Sequence, residues 1–472
     1  MNAKLIGNFT GYILCLESIF MIPALIIALC CQESSTQYAW LITLGIAIAA
    51  GALLLFIRPK DRTFFAREGF ITVGVSWVIL SLIGALPFFL SGSIPHYIDA
   101  VFETVSGFTT TGASILTNVE ALPKSLLYWR SFTNWLGGMG ILVFMLAIVP
   151  LGRGGESLHI LRAESPGPSV GKLVPKMRDT ARLLYLIYII MTVVEVILLL
   201  CGGMPLFDAI TNSFSTAGTG GFCIRNASIG AYNSVYLQGV IAVFMILFGV
   251  NFNLYYLLIL RDFKRILHSE ELRLYLGIIA FAVISIAFNT MHLFQNFAGA
   301  LHHSFFQVSS IITTTGFATV DFDAWPEYSR CMLLLLMFIG ACAGSTGGGM
   351  KISRLLLMFK SLRQEIQHML HPRSVKLMKF DGATVSETTS RGVYAYLIAY
   401  LLITAISTLL LALDNFSFVT TFSAVVSCLN NIGPGLGLVG PTGNFSFFSD
   451  FGKIVLTLDM LFGRLELFPM LI

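Results

Sequence analysis

One seven-residue motif is written four times in this chain, and it dictates a fourfold arrangement. Ser106-Gly107-Phe108-Thr109-Thr110-Thr111-Gly112 returns as Ser215-Thr216-Ala217-Gly218-Thr219-Gly220-Gly221, as Ser310-Ile311-Ile312-Thr313-Thr314-Thr315-Gly316 and as Ser427-Cys428-Leu429-Asn430-Asn431-Ile432-Gly433. Each copy keeps a serine six positions before a glycine, follows a short half-apolar stretch and precedes a long apolar one. A single such turn reads as an ordinary loop. Four at matching places predict four backbone loops around one axis.

The apolar stretches say what surrounds that axis. Charged residues make up 11% of the chain and apolar residues 56%, whereas a soluble protein carries about 25% charged residues. Stretches near 7–31, 38–57, 68–90, 126–150, 182–202, 235–260, 273–290, 329–343, 393–413 and 452–471 are candidates to cross a bilayer core of about 30 Å. The first holds Glu17 and ends at Cys30-Cys31 without a small-residue cleavage site, so it reads as a retained helix rather than a secretion signal. The eight cysteines are scattered, with no metal-ligand spacing, and read as small apolar side chains.

Lysine and arginine concentrate in alternate loops, among them Arg58, Lys60 and Arg62, Lys172, Lys176 and Arg178, Lys264 and Arg265, and Arg373, Lys376 and Lys379. The positive-inside rule puts those loops and the N-terminus in the cytoplasm, so the four turns enter from outside. A formal net charge of +4 calls for no nucleic-acid partner. No HExxH, GxSxG or paired carboxylates stand in the spans, which argues against an intramembrane enzyme.

Stretches 96–106, 205–215, 298–310 and 417–427, ahead of the turns, are too short to span. They suit re-entrant half-helices, which a bilayer tolerates where they are buried in protein or line water. Asp99-Ala100 and Asp208-Ala209 stand at equal distances before Gly112 and Gly221; His303-Ser304 and Thr420-Thr421 replace them in the other copies. A half-helix C-terminus carries partial negative charge, and glycine turns carbonyls inward at little cost. A ring of such carbonyls replaces the hydration shell of a monovalent cation, and oxygen ligands without a carboxylate disfavour a divalent one. The expectation is an all-α integral membrane fold: four pseudo-fourfold repeats of span, pore half-helix, turn and span around one potassium pore, plus two N-terminal transmembrane helices. It divides the chain into 1–57, the N-terminal hairpin, and pore repeats 58–150, 151–260, 261–360 and 361–472.

Gly344-Ser345-Thr346-Gly347-Gly348-Gly349 interrupts the eighth stretch. Each glycine costs a helix about 1 kcal/mol relative to alanine, so this segment reads as an irregular strand in a water-filled cavity, about 24 Å below Tyr328 by helix rise. A gate across the conduction path fits; a seam of close packing is the plainer alternative. A phosphate-binding loop does not fit, because Met350 separates Gly349 from Lys351 and no strand precedes. Arg464 falls at a similar depth in the final stretch, where an arginine seeks a cavity or partner. It reads as a pore-facing charge, or else as a partner of Asp459 or Glu466. His302 and His303 read as helix-surface contacts, and Glu195 carries no assignment.

Thr-Thr-Thr-Gly-Ala at 109–113, Gly-Thr-Gly-Gly-Phe at 218–222, Thr-Thr-Thr-Gly-Phe at 313–317 and Asn-Ile-Gly-Pro-Gly at 431–435 resemble the Trk/Ktr/HKT potassium transporters, as do 344–351 and Gly463-Arg464-Leu465-Glu466. The extra N-terminal spans resemble the TrkH branch. That resemblance implies potassium as the transported ion, no organic cofactor on this chain, a homodimer with one pore per protomer, and a cytosolic TrkA-like ring that binds nucleotide and regulates flux. It also implies a multi-pass protein of the bacterial cytoplasmic membrane. Position by position it implies filter oxygens from Thr110, Thr111 and Gly112, from Thr219, Gly220 and Gly221, from Thr314, Thr315 and Gly316, and from Asn431, Ile432 and Gly433. The gate it implies is 344–349 with Lys351 and Arg464. Glycine at 112, where sodium-favouring plant relatives tend to carry serine, implies potassium. Ion-coupled symport with protons or sodium is the competing mechanism.

Overall fold

The structure, a computed structural model, describes residues 3–57, 66–140, 177–294, 296–373, 377–467 and 470. Two long apolar helices, α1 (Ala3–Cys30) and α2 (Ser34–Phe56), pair with each other and lean on the first repeat. Their connecting turn is built into that repeat: the Glu33 carboxylate accepts the amide of Lys124 at 2.7 Å and the Ser125 hydroxyl at 2.6 Å. Those groups open the helix that follows the first turn, where amides have no partner of their own.

Each repeat then runs long helix, half-helix, turn and second helix. The first uses α3 (Ala66–Leu90), α4 (Tyr97–Phe108) and α5 (Lys124–Gly138). The second uses α6 (Met177–Cys201), α7 (Leu206–Gly218) and α8 (Val235–Phe248), with α9 (Phe252–Ile259) and α10 (Phe263–His268) trailing. The third uses α11 (Glu270–Thr290), α12 (Phe297–Ile312) and α13 (Glu327–Ile339), continued by α14 (Ile352–Leu370). The fourth uses α15 (Glu387–Leu411), α16 (Phe418–Leu429) and α17 (Asp450–Arg464). A two-residue-per-strand hairpin, β1 (Lys379–Phe380) with β2 (Ala383–Thr384), lies between α14 and α15.

The half-helices are where the short apolar stretches place them. Packing closes them into a ring: α5 lies on α7, α8 on α12, α13 on α16, and α17 returns to α4. Every second helix supports the half-helix of the next repeat, in chain order, and the fourth closes on the first.

The sequence reading of ten full spans needs correction. Six helices among the described residues are long and apolar enough to cross a membrane: α1, α2, α3, α6, α11 and α15. The helices after the turns stop early: α5 has 15 residues, α8 has 14, α13 has 13 and α17 has 15. The stretch 235–260 is bent by 92° between α8 and α9, and the part of 126–150 beyond 140 lies outside the described residues. Two of the stops coincide with a close approach to a half-helix. A β-carbon on Gly137 would collide with the carbonyl of Phe108, the last residue of α4, and one on Gly463 with that of Leu429, the last of α16. Only glycine lets the second helix pass so near a half-helix end.

Candidate functional site

All four half-helices end in the same way. The amide one residue before the motif glycine reaches back to the motif serine carbonyl: Thr111 to Ser106 at 2.9 Å, Gly220 to Ser215 at 2.9 Å, Thr315 to Ser310 at 2.8 Å and Ile432 to Ser427 at 3.0 Å. A second bond nests inside it, from Thr110 to Gly107 at 3.1 Å, Thr219 to Thr216 at 3.0 Å, Thr314 to Ile311 at 3.1 Å and Asn431 to Cys428 at 3.2 Å. This paired pattern is the Schellman helix end, with a left-handed residue just past the cap. That residue is Thr110, Thr219, Thr314 or Asn431, at φ between 54° and 58°. Glycine is the usual choice there; a side chain costs about 1–2 kcal/mol. Strain repeated at four equivalent places points to a functional demand on the backbone.

Two residues on, Gly112, Gly221, Gly316 and Gly433 also have positive φ, from 68° to 102°. Glycine is required there for a further reason. A β-carbon on Gly112 would collide with the carbonyl oxygen of Gly220, one on Gly221 with that of Thr315, and one on Gly316 with that of Ile432. On Gly433 it would lie 2.8 Å from the carbonyl oxygen of Thr111. Each glycine abuts the main-chain oxygen of the next repeat, and the fourth closes on the first. All four glycines line one cavity of about 180 Å³, completed by the loops that follow the turns, including Ser114, Asn226 and Asn444. Thr110, Thr111, Thr219, Thr314, Thr315, Asn431 and Ile432 are buried. The twelve sequence-predicted turn residues therefore meet at one place.

The glycine-rich segment lies directly against this ring. α13 ends at Ile339, five residues before Gly344, and the chain stays irregular to Lys351, with positive φ at Gly340, Gly344, Gly349 and Lys351. The Gly348 amide donates to the Thr314 hydroxyl at 2.6 Å, and a β-carbon on Gly348 would stand 2.5 Å from the Asn430 carbonyl oxygen. Thr346 donates its hydroxyl to the Phe248 carbonyl at 3.2 Å, and the Gly344 carbonyl accepts the Phe252 amide at 3.0 Å, so the segment fills the bend between α8 and α9. Ser345 bonds back to the Cys342 carbonyl at 2.6 Å, and the buried Lys351 ammonium donates to the Gly347 carbonyl.

Arg464 ties this segment to the ring. Its guanidinium donates to the Thr346 carbonyl at 3.0 Å, the Thr110 hydroxyl at 3.2 Å, the Gly138 carbonyl at 2.7 Å and the Gly137 carbonyl. The suggested carboxylate partners are engaged elsewhere: Glu466 pairs with Arg354, and Asp459 accepts the Ser407 hydroxyl at 2.6 Å. The structure brings Arg464 to the glycine-rich segment, held by carbonyl dipoles and the Thr110 hydroxyl.

Two supporting residues, Glu103 and Arg130, carry no sequence signal. Glu103 in α4 is buried and paired with Arg130 of α5 at 2.6 Å, while accepting the Ser114 hydroxyl at 3.0 Å and the Ile115 amide at 3.0 Å. Arg130 also donates to the Cys223 carbonyl at 2.8 Å and lies 3.6 Å from the Phe222 ring centre. One buried ion pair thus braces the chain after both the first and second turns. Asn431 donates to the Thr111 hydroxyl at 2.9 Å and to the Met460 carbonyl at 2.9 Å, which locks the fourth turn to the first. The repeated Asp99 and Asp208 now have a reason: Asp99 pairs with Lys453 at 2.6 Å, and Asp208 accepts the Tyr232 hydroxyl at 2.7 Å. Burial pushes the Tyr232 hydroxyl pKa up, which keeps it a donor. His302 bonds Gln238 at 2.6 Å and His303 bonds Thr319 at 3.1 Å, as surface contacts of α12. Glu195 is buried beside Thr216 of α7.

Comparison with known proteins agrees with this geometry. The TrkH family model, described as a cation transport protein, matches residues 37–472. The Trk system potassium uptake protein TrkH of Salmonella typhimurium is 38% identical over 479 residues, covering 100% of this chain and 98% of its own. Trk system potassium uptake protein TrkG of Escherichia coli K12 is 35% identical, covering 100% and 97%. The crystal structure of the potassium transporter TrkH from Vibrio parahaemolyticus superposes with a TM-score of 0.89 at 33% identity, covering 100% of this chain and 98% of that one. A multi-pass membrane protein with this ring of turns, matched end to end by such relatives, belongs to the TrkH family of cation transport proteins.

Proposed function

We propose that this protein carries potassium into a bacterial cell across its cytoplasmic membrane, through the ring of four turns as a selectivity filter. The observation that carries the reading is the ring closure, in which each motif glycine abuts the main-chain oxygen of the next repeat. Main-chain and threonine oxygens from Thr110–Gly112, Thr219–Gly221, Thr314–Gly316 and Asn431–Gly433 replace the water around a dehydrated monovalent ion. The half-helix ends supply partial negative charge. Flux is passive, driven by about 2.3 kcal/mol per charge for each 100 mV of membrane potential.

The loop 344–349, with Lys351 and Arg464, is the gate, and its bonds to Thr314 and Thr110 are those of a closed state. A guanidinium next to the filter raises the barrier for a cation while its hydrogen bonds hold the loop in place. The N-terminus and the basic loops are cytoplasmic, in line with the positive-inside rule. The chain works as a homodimer, and a cytosolic nucleotide-binding ring of the TrkA kind opens the gate; the relatives are named as proteins of a Trk system, which supports this reading.

Growth rescue of a potassium-uptake-deficient bacterium at low potassium tests the reading. The wild-type chain restores growth, and Gly112→Ser, whose β-carbon collides with Gly220, does not. Vesicles holding the protein together with its regulatory ring and nucleotide that pass no alkali-metal current under any voltage would overturn it. Dependence of flux on a proton gradient at fixed voltage would favour symport instead.

A further inference from the structure

The glycine-rich loop is anchored from behind by a carboxylate that the filter does not need. α11 opens with Glu270 and Glu271 in its first turn. Glu271 is 4% exposed, and its Oε1 accepts the amide of Ala343, the residue just before the loop, at 2.7 Å. The carboxylate also lies beside the start of α14, near Lys351 and Ser353, where negative charge is favoured. The residue at that helix's own N-cap, Lys351, makes no side-chain capping bond. Glu271 therefore holds the leading end of the loop through the Ala343 amide.

Glu270 faces the other way. Its carboxylate pairs with Lys360 of α14, whose ammonium also donates to the Lys379 carbonyl at 2.6 Å. The Glu270 amide donates to the Asp381 carboxylate at 2.7 Å. Lys379 and Asp381 belong to the hairpin at 379–384, which is solvent-exposed along most of its length and lies in the basic segment assigned to the cytoplasm. Two adjacent glutamates thus join an exposed hairpin to a buried loop.

We propose that Glu271 is a positioning residue that keeps the loop 344–349 closed, and that the hairpin 379–384 is the handle through which it is released. This rests on the reading of that loop as the gate. Pulling the hairpin away removes Asp381 from the first turn of α11 and takes the Lys379 carbonyl from Lys360, which loosens its pair with Glu270. Glu271 then withdraws from Ala343, and the leading end of the loop loses its anchor.

The test uses the full chain in vesicles without any partner, with two readouts: basal rubidium uptake and amide hydrogen exchange of the segment 340–351. Glu271→Ala raises basal uptake about tenfold, the size expected from one lost charge-assisted bond, and speeds exchange in 340–351. Glu271→Gln keeps an acceptor oxygen and restores both readouts toward wild type. Asp381→Ala, which touches neither filter nor loop, gives a smaller rise in both. Unchanged uptake and exchange in Glu271→Ala overturns the proposal, as does a Glu271→Gln variant indistinguishable from Glu271→Ala. A silent Asp381→Ala overturns the handle. If Arg464→Ala opens the pore while Glu271→Ala does not, this inference alone fails; if neither does, the gate reading fails with it.

Discussion

Replacing Arg464 with alanine removes a full positive charge and at least four hydrogen bonds from the junction of loop and filter. Its nitrogen stands 3.2 Å from the Thr110 hydroxyl, so an ion held by that oxygen sits about 6 Å from the guanidinium charge. At an effective dielectric constant of about 20, unit charges at that separation repel by about 2.8 kcal/mol. Each 1.36 kcal/mol is about a tenfold change in rate, so the charge alone accounts for about two decades of flux. The lost bonds also free the loop at Thr346. Arg464→Ala is expected to raise basal rubidium uptake into proteoliposomes by up to about a hundredfold. Arg464→Lys keeps the charge, loses the fork of donors, and falls between the two. Equal or lower uptake in Arg464→Ala, at matched reconstitution, would refute both the electrostatic barrier and the clamp.

Three further outcomes follow from the same geometry. Gly316→Ala pushes a methyl into the Ile432 carbonyl at φ +83°; the backbone strain alone is about 1–2 kcal/mol, and uptake should be lost while the protein still reaches the membrane. Thr314→Val removes the acceptor of the Gly348 amide, which at 2.6 Å is a principal tie between loop and ring; a buried amide left unpaired costs about 1–3 kcal/mol, so the loop loosens, which faster amide hydrogen exchange over 344–349 would report. Glu103→Ala strands Arg130 in a buried site, a loss of about 3–5 kcal/mol that a lowered melting temperature in detergent would report.

Repetition is what made the centre of this molecule legible. The half-helix expected at 96–106 is Tyr97–Phe108, and that at 417–427 is Phe418–Leu429. Each motif serine stands at the position whose carbonyl ends the helix, which is why its spacing to the glycine stays fixed while the residues between drift. Hydropathy could not show where the second helices stop, because apolar residues continue through the bend at Gly249–Asn251. Only Gly137, Gly249, Gly340 and Gly463 mark those stops, and isolated glycines occur throughout the chain. Glu103 and Glu271 were illegible for another reason. Their partners lie 27 and 72 positions away, and Glu271, in the first turn of its helix, looks like ordinary dipole compensation.

The order in which the ring closes has a consequence for asymmetry. Because one polypeptide writes all four quadrants separately, a residue such as Arg464 occurs in a single quadrant. A channel assembled from four identical subunits would present four such cations at once, and the repulsion of about 2.8 kcal/mol would grow roughly fourfold, shutting the conduit outright. With all four quadrants in one chain, the charge at position 464 stands beside the ring once rather than four times.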